Sequence, residues 1–177
     1  MHNFSSPHNN RHPYLKKLGL TVIVFLTRFL KVLPNFSPVG SFGFFQSNIL
    51  LFFGQIIVFD KFFSGFYPGF IFTYLGFASY YFWGRLAKGQ VKKQVLFLPL
   101  ASFCFFMLSN LGVWFFWYPR TLAGLLSCYF VALPFYRNTL LGDVFFGGLA
   151  IGAQVLMKNF FYKKTRSSYL AVSSIIK

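Results

Sequence analysis

Asp60 and Asp143 are the only two acids in a chain that carries seventeen basic residues. Both sit in or against apolar stretches, and Asp143 closes the segment "LPFYRNTLLGD", residues 133–143. A carboxylate in such surroundings either holds a cation or meets a ligand, because burying it unpaired is costly. Arg28, Arg120 and Arg137 are the basic side chains that topology brings to the same level. Ion pairing is the first expectation for the two acids, contact with a ligand or cation the second, and proton coupling the third. Asn138 also has a simpler role open to it, as N-cap of a last helix.

A second constellation lies in the run from Val95 to Trp117. Asn110, Trp114 and Trp117 recur at i, i+4 and i+7, the spacing of one helix face, with Tyr118 beside them. Such a face is either an interfacial aromatic belt or a platform on which a flat heterocycle stacks. Asn110 favours an inward orientation, since an amide facing lipid is unfavourable. Tyr67, Tyr74 and Tyr81 form a further stripe at heptad spacing, read as packing. With Asn35 in the turn "PNFSPVG", the expected ligand-binding set is Asn35, Asp60, Asn110, Trp114, Arg120, Arg137, Asn138 and Asp143.

Other chemistries find little footing. Cys104 and Cys128 form no Cys-x-x-Cys motif, and His2, His8 and His12 all fall in the first thirteen residues. A metal site needs at least three convergent ligands, so no metal is expected and the cysteines read as small buried hydrophobes. No Ser-His-Asp set, HExxH motif or phosphate-binding GxxxxGK[ST] loop occurs. The expectation is a non-enzyme with no catalytic residues and no cofactor.

The elements that must hold these residues follow from composition. The chain of 177 residues is 56% hydrophobic and only 11% charged, where ordinary soluble domains carry about 25% charged residues. Uncharged stretches run over residues 32–59, 62–84 and 95–119, each long enough for the roughly 20 helical residues that a hydrocarbon core requires. The net charge of +15 gathers at the ends of apolar segments. The groups are Arg11, Lys16 and Lys17, then Arg85, Lys88, Lys92 and Lys93, then Lys158, Lys163, Lys164, Arg166 and Lys177. That is the positive-inside distribution, with anionic lipid as partner and no nucleic acid. The 29 phenylalanines substitute for leucine in such segments.

The expected fold is therefore an all-α membrane protein, a six-helix transmembrane bundle in one domain over residues 14–162. A disordered cytoplasmic tail precedes it at 1–13, and a basic cytoplasmic tail follows at 163–177. Residues 38–63 read as two short helices around Ser47-Asn48, crossing twice or re-entering. Residues 121–133, bounded by Pro119 and Pro134, read as an extra re-entrant or interfacial helix. Six crossings put both termini in the cytoplasm and gather residues 34–38, 60–68 and 118–138 at an outer mouth.

The motifs "PNFSPVGSFGFF", "DKFFSGFYPGFIFTYLGFA", "SNLGVWFFWYPRTLAGLLSCYFVALPF" and "RNTLLGD" resemble a bacterial family of uncharacterised membrane proteins classed with transporters, over residues 15–160. That family in turn resembles the substrate-binding S components of energy-coupling factor (ECF) vitamin transporters. The resemblance implies a bundle with a pocket open to the outside of the bacterial inner membrane. It also implies a vitamin-like small-molecule solute and an energy-coupling membrane subunit as partner. The S-component docking pattern, Ala-x-x-x-Ala on the first helix, is missing from "LGLTVIVFLTRFL", so either docking uses another surface, such as Gly148 and Gly152 in the last helix, or the protein does not join that machinery. Internal packing of the bundle is the plainer role for those two glycines. The alternative is a structural or assembly membrane protein with no ligand. The expected mechanism is exchange between open and occluded states, with "PNFSPVG" or residues 121–133 as lid.

Overall fold

Long apolar runs fold as helices because a helix satisfies each backbone N–H and C=O within its own segment. The computed structural model describes residues 11–30 and 33–175, and those residues form six α-helices and no strand. They are α1 (Arg11–Thr27), α2 (Val39–Phe45), α3 (Ile49–Phe59), α4 (Phe70–Ala87), α5 (Val91–Trp117) and α6 (Leu122–Ile175). Most of the N-terminal tail expected at residues 1–13 lies outside the described residues, as do the last two residues of the basic tail. Pro13 falls in the first turn of α1, where a missing N–H breaks no hydrogen bond.

Local signals set the shorter elements. Asn48 caps α3, its side chain accepting from the backbone N–H of Leu50 and Leu51. α3 widens at its end into a π-helical turn, Asp60–Ser64, closed by Gly65 at φ +76°. Gly69, at φ +88°, opens α4.

α4 and α5 pack antiparallel, and α6 returns along α5. The register of the second pair is read from Tyr129 Oη on the Met107 carbonyl at 2.7 Å and Gln94 Nε2 on Gln154 Oε1 at 3.2 Å. α2 is a wedge between α4 and α6, and six of its seven residues are buried. It approaches α4 closely at Gly84, where a Cβ would overlap the Phe44 carbonyl oxygen. α1 rests on α3 alone among its larger contacts. Two core clusters result, one around Phe42, Phe52 and Ile56, the other around Phe44, Tyr80, Leu98 and Ala101.

Two expectations change. α2, with seven residues, is only about 10 Å long and α3 about 16 Å, so neither alone reaches across a core of about 30 Å. Among the described residues, two helices are long and apolar enough to cross a membrane: α5 and the stretch Leu122–Phe160 of α6. The second change concerns residues 121–133, which are no separate re-entrant element. They are the first turns of α6, which runs unbroken through Pro134. Proline removes one hydrogen bond from the ladder, but an apolar helix propagating on both sides outweighs that single loss.

Gly148 and Gly152 are exposed on α6, with open space where a Cβ would be. They take no part in packing the bundle; Gly147, against Leu98, does.

Candidate functional site

The turn between α1 and α2 organises the site. Asn35 adopts a left-handed backbone, φ +63°, a conformation that asparagine tolerates better than most side chains. The turn is held on α6: Asn138 Nδ2 donates to the Pro34 carbonyl at 3.1 Å, and Phe36 packs on Phe145 and Phe146. Asn138 therefore works from mid-helix, not as an N-cap, because α6 begins at Leu122, sixteen residues before it.

Three cavities meet beneath this turn, and Asn35 borders all of them. The widest, about 680 Å³, opens between Thr27, Arg28 and Leu30 on one side and Phe59, Phe63 and Ser64 on the other. A chamber of about 180 Å³ lies deeper, bounded by Arg28, Phe77, Tyr80, Phe105, Thr139 and Asp143. A side chamber of about 270 Å³ shares Asn35, Phe105 and Thr139 with it. Tyr67, Thr73, Ser109 and Asn110 supply the polar groups of that side chamber, and Phe106 and Tyr136 part of its apolar wall.

Asp143 is fully buried at the floor, 1% exposed. Its carboxylate accepts hydrogen bonds from the Tyr80 hydroxyl and, at 3.3 Å, from Ser41 Oγ, which also donates to the Asp143 carbonyl at 3.0 Å. No basic side chain pairs with it among the described residues. The expected partners lie elsewhere: Arg137 is exposed, and Arg120 is exposed with its guanidinium 4.2 Å from the Phe115 ring centroid. Asp143 lies 21 residues into α6, near Ser102 of α5 and five residues beyond Asn138, which holds the turn above it.

Asp60 is the acid that does find a cation. Arg28 Nη2 donates to Asp60 Oδ1 at 3.2 Å, and the Tyr74 hydroxyl donates to Oδ2 at 2.9 Å. The guanidinium lies 3.8 Å from the Phe59 ring centroid. Arg28 Nη1 is buried with no hydrogen-bond partner, and Arg28 borders both the entrance cavity and the deep chamber.

Of the expected set, Asn35, Asn110 and Asp143 border the connected cavities, and Asp60 acts on them through Arg28. Trp114 borders none of the three, and its Nε1 donates to the Pro119 carbonyl at 3.1 Å. Trp117 is exposed and pairs with Tyr67. The proposed stacking stripe is thus split, because only its Asn110 end turns inward. Sequence reasoning missed Tyr80, Ser41 and Thr139. It had a signal for Tyr80: Gly76 and Gly84, one turn away on either side, mark the closely packed face of α4.

Fold and site together describe an all-helical bundle with three adjoining, mostly apolar cavities under one turn, the deepest bordered by a buried carboxylate. The chain belongs to a family of unknown function, DUF6580, whose model matches residues 9–167. No curated protein matches the chain, and no solved structure does. The function of that family is unknown.

Proposed function

We propose that this is an integral membrane protein that captures a small polar solute without converting it. The observation that carries the reading is the cavity system beneath Asn35, which ends on a buried carboxylate inside an otherwise apolar bundle. The entrance cavity, about 680 Å³, has the size at which small-molecule sites occur; the two inner chambers are smaller, with mostly apolar walls and a few polar groups, and suit a correspondingly small solute. Asp143 is the one acid on the walls, and no histidine, cysteine or lysine stands beside it. That set suits recognition better than nucleophilic or general acid–base catalysis.

The membrane part of the reading rests on the surface. Leu122, Leu126, Phe130, Leu133, Leu149 and Leu156 all project from α6 into the surroundings, a larger apolar face than soluble proteins leave open. In the six-crossing arrangement the basic end, with Arg85, Lys88, Lys92 and Lys93, faces the cytoplasm of a bacterial inner membrane. Lys17 belongs to that end through its 2.7 Å bond to Ser47 Oγ. Arg28, Asn35 and Ser64 then border an outward mouth, with residues 33–38 as the lid between open and occluded states. The sequence holds no phosphate-binding loop, so energy for uptake would come from a separate coupling subunit, as the likeness to ECF S components implies.

Two results test this. In a cysteine-free background, Ser64→Cys reacts with an impermeant thiol reagent added outside intact cells, and Gln90→Cys reacts only after permeabilisation. The reverse pattern puts the mouth on the wrong face. In detergent, a solute that binds only the folded protein raises its melting temperature, by about 2.7 kcal/mol of stability at 100 times Kd. A screen in which no solute of any charge class shifts the melt overturns the capture reading and leaves a structural or assembly protein.

A further inference from the structure

The charges around the deep chamber do not balance. Arg28 contributes one positive charge, and Asp60 and Asp143 one negative charge each. Arg28 and Asp60 are paired at 3.2 Å, which leaves Asp143 without a countercharge among the described residues. Tyr80 and Ser41 give it hydroxyl donors but no charge. An uncompensated buried carboxylate is among the costlier groups a fold can carry, and an incoming cation removes that cost.

The walls indicate what kind of cation. Phe77, Tyr80 and Phe105 border the chamber, and aromatic rings attract organic ammonium groups. A divalent ion wants six or more oxygen ligands, with carboxylates prominent among them, and Asp143 is the one carboxylate on this wall, with Arg28 a cation on the same wall. Gly40 keeps the carboxylate open to the chamber, since a Cβ there would stand 2.5 Å from Asp143 Oδ1 and 2.6 Å from the Tyr80 ring. On the opposite side, the unpartnered Arg28 Nη1 asks for a hydrogen-bond acceptor. A zwitterion would satisfy Arg28 yet leave the chamber with its excess negative charge.

We infer that the chamber at Asp143 takes a small organic cation, a nitrogen cation that also presents a neutral hydrogen-bond acceptor toward Arg28. The inference rests on the solute-capture reading above and names its ligand class. The side chamber, with Phe106, Tyr136 and Asn110, accommodates the remainder of a larger cation.

The test uses the full chain in detergent and compares isosteres by thermal unfolding and calorimetric titration. The probes are choline, its uncharged carbon isostere 3,3-dimethylbutan-1-ol, 2-phenylethylamine, phenylacetate and glycine betaine. The expected result is stabilisation by choline, less by 2-phenylethylamine, which has the cation but no acceptor for Arg28, with the uncharged isostere, the anion and the zwitterion at least about tenfold weaker than choline. In Asp143→Asn the cation preference disappears. The wild-type comparison decides the matter even if that variant does not fold. Equal binding of choline and its uncharged isostere, or a cation preference surviving in Asp143→Asn, overturns the inference. Stabilisation by neutral or anionic solutes alone overturns it too, while leaving solute capture standing. Silence from these probes and from the broader screen overturns both.

Discussion

Gly84→Ala leaves no stable bundle. The added methyl group meets the Phe44 carbonyl oxygen, a backbone atom that no rotamer change can move aside. Relief requires α2 to withdraw from α4, which breaks the packing of Phe44 in the cluster around Tyr80 and the Ser41–Asp143 contacts. Ordinary overpacking costs about 1–3 kcal/mol; a clash with backbone at the centre of a core exceeds that range, at least about 3 kcal/mol. The readout is monodisperse yield after detergent extraction, followed by the melting temperature. Gly148→Ala is the matched control, because open space surrounds that position. It gains up to about 1 kcal/mol from helix propensity, unless a partner helix uses the face. A Gly84→Ala melt indistinguishable from wild type would show that α2 and α4 do not meet at this point.

Arg28→Met is expected to be the second most damaging change in the unliganded protein. It leaves Asp60 with the Tyr74 hydroxyl alone, in a position where its side chain is 14% exposed. Breaking a fully buried pair costs about 3–5 kcal/mol. Partial exposure of both side chains, 17% for Arg28, brings the expected loss to about 2–3 kcal/mol. The double variant Arg28→Met with Asp60→Leu recovers most of it, since no unpaired charge then remains. A double-mutant cycle in thermal stability measures this directly. Additive losses, with no recovery in the double variant, would mean that the pair is not what holds the end of α1 to the π-helical turn.

The sequence made some of this legible because the governing physics is local. Scarcity of charge and length of apolar runs announce helices, and acids in apolar company announce either pairs or sites. Asn35, Asn110 and Asp143 could be singled out for that reason. The partners of Asp143 could not, since charge complementarity points to arginine while the donors found are the hydroxyls of Tyr80 and Ser41. Uncharged donors leave no mark in a charge pattern, and they lie 63 and 102 residues away along the chain. The tyrosine stripe shows the same limit. Heptad spacing selected Tyr67, Tyr74 and Tyr81, one register away from the buried Tyr80. All three make polar contacts of their own, with Thr73, Asp60 and the Ser47 carbonyl respectively. Pro134 misled in another way. A proline rule describes one residue's cost, whereas helix continuity is decided by the turns on both sides.

That continuity has a mechanical consequence. The 54 residues of α6 make a rod of about 80 Å, against a hydrocarbon core of about 30 Å. Asp143, at the chamber floor, and the basic run beyond Met157 ride on the same shaft. A tilt of a few degrees about the middle of the rod, too slight to disturb the packing beside Asp143, sweeps its far end through several times that displacement. On the capture proposal, α6 would act as a pointer: closure around an occupant near its midpoint would be written out as the position of a cationic tip, where anionic lipid or another subunit would read it.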